Sequence, residues 1–224
     1  LGGDITCSDT FTCNGNSAIN RVLVNSSARG ISRTITAATV SVSNTDFMDI
    51  TGAGAGSWNL ASITGGSGDC GGNSGITFTT PATQTATGTA SFTWSTHGWT
   101  SRVPLPQDDV VVNNAFVASR VVTMDMPRAG RNLDFSGSTG APTLSQTVNN
   151  DVYGDLTLAS NNVISGTAGF TLAGRGSHTL TNAGVTHTGT LVIGCATGTY
   201  TLADAFSSSR SASGAISVQS GTFD

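Results

Sequence analysis

The chain of 224 residues has no lysine and no glutamate; its nine basic side chains are all Arg and its thirteen acidic ones all Asp. Lys and Glu populate solvated helix faces, so their absence excludes a protein built on exposed helices. Charged residues make up only 10% and the formal net charge is −4. Arg is scattered singly, without the basic stripe that binding a phosphate backbone requires, which excludes nucleic acid as a partner. No apolar run approaches the length that spans a bilayer, which excludes an inserted helix.

What is there in quantity is Thr, Ser, Asn and Gly, with Val, Ile and Thr recurring in short alternating runs. β-branched residues fit a pleated surface, and disordered chains are poor in them. The composition therefore predicts a folded all-β protein with a surface of hydroxyls and amides.

The second half carries a repeat. Leu158, Leu180 and Leu202 stand 22 residues apart, as do Thr157, Thr179 and Thr201. A second family, Phe170-Thr171-Leu172, Leu191-Val192-Ile193 and Ile216-Ser217-Val218, recurs at intervals of 21 and 25. Short strands repeating with a period near 22 and separated by Gly, Asn or Ser predict the stacked coils of a right-handed parallel β-solenoid. An antiparallel sandwich is the alternative. In the solenoid the Leu set would form one inward ladder and the Thr set would face out. The rhythm extends backwards through Val121-Val122-Thr123-Met124 and Val110-Val111-Val112.

This predicts three segments: a less regular β-rich region over 1–64, a Gly/Thr-rich connector over 65–91, and coils over 92–224. The chain opens on Leu and closes on a strand-and-turn pattern, so the expectation is a segment of something larger. Cys7 and Cys13 stand close enough in sequence to bridge across a tight loop. Cys70 and Cys195 either pair or serve as small buried apolar residues. Four cysteines in a chain of this kind point to an oxidising compartment.

The stretch Phe92-Thr93-Trp94-Ser95-Thr96-His97-Gly98-Trp99, followed by Val103-Pro104-Leu105-Pro106-Gln107-Asp108-Asp109-Val110-Val111-Val112 and by Arg120 to Gly137, resembles the opening of β-solenoid modules in large bacterial and phage surface proteins. It is also similar to the start of the extracellular domain named for its eight glycines. The resemblance covers roughly residues 75 to 224. It implies a structural or adhesive element of a cell surface or virion, partnered by copies of itself or by neighbouring surface proteins. It carries no catalytic motif that transfers to this chain.

Individual residues add little chemistry. Asp108 and Asp109 are adjacent on a strand, point to opposite faces and so cannot form a carboxylate dyad. Asp109 with Asp125 and Asp134 is the only acidic grouping to consider for glycan cleavage. Gly65-Gly66-Ser67-Gly68-Asp69 is one degenerate copy of a calcium-binding glycine repeat, and such repeats work in tandem. His97, His178 and His187 lack metal-ligand spacing. No residue set points to a catalytic centre, a cofactor or a metal. The resemblance implies that Trp94 and Trp99 seal the end of the coil stack; lining a glycan groove beside Asp109 is the competing role. Ice binding would need Thr-x-Thr in coil after coil. On the repeat above only Thr179-Leu180-Thr181 supplies it, because Ala159 and Ala203 follow Thr157 and Thr201 two residues on.

Overall fold

The computed structural model describes residues 1–86, 88–113, 120–210 and 214–224. It is all-β, and its strands stack in parallel as a β-solenoid of about eight turns. The chain divides into two compact units, Leu1–Pro81 with Leu105–Gln107, and Ala82–Pro104 with Asp108–Asp224.

The first unit holds β1 (Ile5–Asn14), β2 (Val22–Asn25), β3 (Arg33–Ser43), β4 (Thr45–Met48), β5 (Ile50–Ala53) and β6 (Ser67–Asp69). They form two parallel sheets, ordered β1-β3-β5 and β2-β4-β6. Alternation puts Ile35, Phe47 and Ile50 inside, where they pack with Trp58 and Leu60. The Phe47 and Trp58 rings meet edge-on at 6.3 Å, and the Trp58 indole N–H donates to the Ala53 carbonyl at 2.9 Å.

The predicted connector is in fact part of the fold. β6 stacks on β4, and Arg21 donates to the carbonyls of Gly65 (2.5 Å) and Gly66 (2.9 Å) while its Nε donates to the buried Asp46 carboxylate at 2.8 Å. Gly65 adopts a φ of +71°, and a Cβ there would overlap the Asn44 side chain. Gln107 completes this edge: its amide donates to the carbonyls of Ser67 and Thr79, and its Oε1 accepts from the Asp69 N–H. The glycines therefore permit close approach and left-handed backbone rather than flexibility. The Thr79–Ala90 stretch supplies a strand too, Thr83–Ala86, which belongs to the second unit, while Thr87 lies outside the described residues.

In the second unit each coil contributes up to three short strands, and these form three parallel stacks. The first stack carries the inward ladder Gln84, Val110, Leu133, Leu156, Leu180, Leu202. The second carries Val152, Leu172, Ile193, Val218, in the register that the 21- and 25-residue intervals predict. The third carries Phe92, Val122, Leu144, Ile164. One departure from expectation stands out in the first stack. Leu180 and Leu202 do align, but the residue beneath Leu180 is Leu156, not Leu158, and Thr157 pairs with Thr181 rather than Thr179. A slip of two residues keeps every side chain on its own face, so a Leu-Thr-Leu run satisfies either register equally well. Leu158 is also buried, one step further round, with its N–H donating to the Thr181 carbonyl.

Corners are held by inward amides. Asn150 donates to the Met126 carbonyl at 2.8 Å, Asn162 to the Ser138 hydroxyl at 2.9 Å, and Asn182 to the carbonyls of Val185 and Ala205. Such side chains satisfy buried backbone groups that strand pairing leaves over where the chain turns.

Leu156 is fully buried whereas Thr157 faces out. Leu156→Ala is expected to lower stability by about 3 kcal/mol, and Thr157→Ala by no more than about 0.5 kcal/mol. Urea unfolding followed by circular dichroism checks both.

Candidate functional site

The aromatic corner of the second unit was the leading candidate for ligand contact. Trp94 opens a single turn of 3-10 helix (Trp94–Thr96) directly after the first strand of the third stack. Its indole is fully buried and Trp99 is 8% exposed. Their ring centroids lie 4.8 Å apart at 62°, and the Trp99 indole N–H donates to the Trp94 carbonyl at 2.8 Å. Phe135 packs beside Trp94 at 6.4 Å, and Phe92 meets Trp99 edge-on at 6.0 Å while stacking on His97 at 4.1 Å. Partial burial pushes the His97 imidazole below its usual pKa. A sugar platform needs an exposed ring face, and neither indole offers one. The two tryptophans instead pack into the apolar core beside the edge strand of the third stack.

Asp109 is half-buried and held by Arg131, whose Nε donates to Oδ1 at 2.8 Å and whose Nη2 donates to Oδ2 at 2.6 Å. The Arg131 hydrogen bonds keep its carboxyl below the usual carboxylate range, against a smaller opposing effect of burial. An ionised, Arg-clamped carboxylate is poorly suited to donate a proton as a general acid. Asp108 turns the other way and is fully buried, accepting from Arg102 Nε at 2.9 Å and from the Ala82 N–H at 2.8 Å. Asp125 accepts from the Ser95 N–H and hydroxyl, and Asp134 from the Ser136 N–H. Asp109 thus serves an ion pair, Asp134 a local turn and Asp125 a contact with Ser95 on the neighbouring coil.

None of the four cysteines is in a disulfide. Cys7 and Cys13 lie on one extended strand, β1, where six residues span roughly 20 Å at ordinary strand rise, far beyond disulfide reach. The expected bridge is therefore corrected, and with it goes the support that bridging would lend to an oxidising compartment. Cys70 and Cys195 belong to different units and are each buried, in keeping with the small-apolar reading. The Cys195 thiol donates to the Gly198 carbonyl at 3.2 Å.

Two buried polar residues had no sequence signal. The Tyr200 hydroxyl donates to the Gly154 carbonyl at 2.8 Å and accepts from the Gly174 N–H at 3.1 Å, tying three coils together, and burial pushes its pKa up. His187 is buried between Phe170 and Phe206, and its Nε2 pairs with Asn182 Oδ1 at 2.8 Å. Burial holds its imidazole down to about 4 from the ordinary 6.5. His178 sits on another stack, its Nε2 on the Arg175 carbonyl at 2.8 Å. Among the described residues no three His, Cys or Asp side chains converge as a metal site, and no helix is long and apolar enough to cross a membrane.

Because native His187 binds its proton less readily than the unfolded chain does, its contribution is complete above pH 6.5 and declines as pH falls through the window down to about 4. A shift of that size corresponds to about 3 kcal/mol. Thermal melts between pH 8 and pH 4 should show this acid loss, and a His187→Gln variant should show a shallower one. Trp99→Ala is expected to lower stability by about 3 to 5 kcal/mol, read by urea unfolding.

No protein-family model, curated protein or solved structure matches this chain. The resemblance to surface-protein modules has no support in these comparisons; what the structure shows is the parallel β-solenoid itself.

Proposed function

We propose that this chain is a structural or adhesive solenoid element of a cell surface or virion, and that copies associate by continuing one another's coil stack. The observation that carries the proposal is at the last described coil, Ile216–Phe223. Ile216 and Val218 are in register with Leu191 and Ile193, which are fully buried, yet they are 37% and 57% exposed. Their side chains continue the apolar ladder and are left exposed at this coil.

The first coil of the first unit is open in the same way. Leu1, Phe11, Cys13, Leu23 and Val24 line a cavity of about 240 Å³. Among the described residues the strand pairings are parallel, and parallel pairing between the edge strands of two copies is what a head-to-tail contact requires. The hydroxyl-rich exterior without Lys supports a location outside the cell.

The test is sedimentation velocity of the full chain over a range of concentrations, with negative-stain microscopy of the fastest fractions. Concentration-dependent, elongated oligomers are expected. Val218→Arg should leave the melting transition in place and return the protein to monomers. A wild-type chain that stays monomeric at every concentration would overturn the proposal.

A further inference from the structure

Two edge strands of this chain share one layout. Among the described residues the Ile216–Phe223 strand pairs only with Leu191–Leu202, and β1 pairs only with β3, so each has one side left over. Both run for three paired residues, shift register, and resume on a Thr followed by an aromatic ring. On one strand these are Ile216-Ser217-Val218 and Thr222-Phe223, and on the other Ile5-Thr6-Cys7 and Thr10-Phe11. The strands they pair with repeat the layout: Leu191-Val192-Ile193 with Thr199-Tyr200, and Ile35-Thr36-Ala37 with Thr39-Val40. The interruption shortens in order, from five residues (Gly194 to Gly198, crossed by the single pair Gly194–Ser220) to three (Gln219 to Gly221), two (Ser8 and Asp9) and one (Ala38). The two free edges are therefore consecutive members of a single series.

Their inward faces agree as well. Ile216, Val218 and Phe223 are in register with the buried Leu191, Ile193 and Tyr200, while Ile5 and Cys7 are in register with the buried Ile35 and Ala37. Neither edge completes the burial: Ile216 and Val218 are exposed, and Ile5, Cys7, Phe11 and Phe223 are half-buried. Asp9, inside the interruption of β1, is the one charged residue on either strand.

From this match we infer that the Ile216–Phe223 strand of one copy pairs in parallel with β1 of the next, Ile216 beside Ile5, Val218 beside Cys7 and Phe223 beside Phe11. The inference rests on the association proposed above and gives it a register. Ser217 then lies beside Thr6 and Thr222 beside Thr10 on the outer face, as strand alternation requires. A one-residue shift sets inward side chains against outward ones. A shift of two sets either Ile216 beside Gly3 or Val218 beside Asp9, so an apolar side chain meets no side chain or a carboxylate.

The experiment is disulfide trapping of the full chain with oxidised glutathione, read by non-reducing electrophoresis and peptide mapping, with sedimentation of the reduced protein in parallel. Neighbouring strands lie about 4.8 Å apart, inside the Cα separation of roughly 4.4 to 6.8 Å that a disulfide spans. Val218→Cys is expected to bridge to Cys7 of the next copy and give a ladder of linked chains. The ladder should persist with Cys13→Ser and be lost with Cys7→Ser. The outer pair Ser217→Cys/Thr6→Cys, in a Cys7→Ser background, should also link, and it leaves the core untouched if Val218→Cys disturbs folding. Oligomers in which Val218→Cys bridges only to Cys13, or in which neither pair bridges, would overturn this register and leave the association standing. A wild-type bridge between two Cys7 thiols would overturn it in favour of two first coils meeting head to head. Reduced protein that is monomeric at every concentration would overturn the association and the register together.

Discussion

Everything in this protein depends on parallel backbone pairing between one coil and the next. A single coil has too little interior to bury its own apolar side chains, and only when a neighbour stacks on it do Val110, Leu133, Leu156 and Leu180 become a continuous apolar column. The same stacking removes water from the corners, so polar groups that turn inward must find partners there. Asn150, Asn162, Asn182 and His187 do so within their own coil or the adjacent one. The arrangement yields a core in which apolar columns carry the stability and corner amides specify where the chain turns.

The scarcity of charge acquires a physical explanation in this setting. Two Arg–Asp pairs have fully buried carboxylates, Arg21 with Asp46 and Arg102 with Asp108. Buried pairs of this kind add little net stability, but the Arg fork also reaches backbone carbonyls. Arg21 contacts Asp46, Thr45, Gly65 and Gly66 at once. An ammonium group, with its compact point charge, could not span that planar set. At least at this site, the basic residue has to be Arg because it works as a brace for irregular backbone.

Much of the fold was legible in the sequence because its strongest signals are periodic. The second stack followed directly from Phe170, Leu191 and Ile216, and the alternation of Leu and Thr gave the correct inward and outward faces. The first stack was read two residues out of register, since a shift by the strand period leaves no trace in the hydrophobic pattern. Gly65-Gly66 looked like a linker because the residue that immobilises it, Arg21, lies 44 positions away from Gly65. Cys7 and Cys13 looked like a loop staple because short sequence separation says nothing about an intervening strand. Trp94 and Trp99 are both buried against the core, which the sequence pattern alone could not show.

The intervals between residues stacked in the first column are 23, 23, 24 and 22 from Val110 to Leu202. The column stays unbroken because the corners absorb the difference. Gene duplication therefore need not be exact to the codon: a copied segment anywhere within that narrow range can be inserted as one more coil, with contacts changed only at its two neighbours. A single residue added inside a strand has the opposite effect, turning the rest of that strand inside out. Such a chain can grow or shrink by whole coils over evolutionary time while tolerating almost no change in phase within a strand.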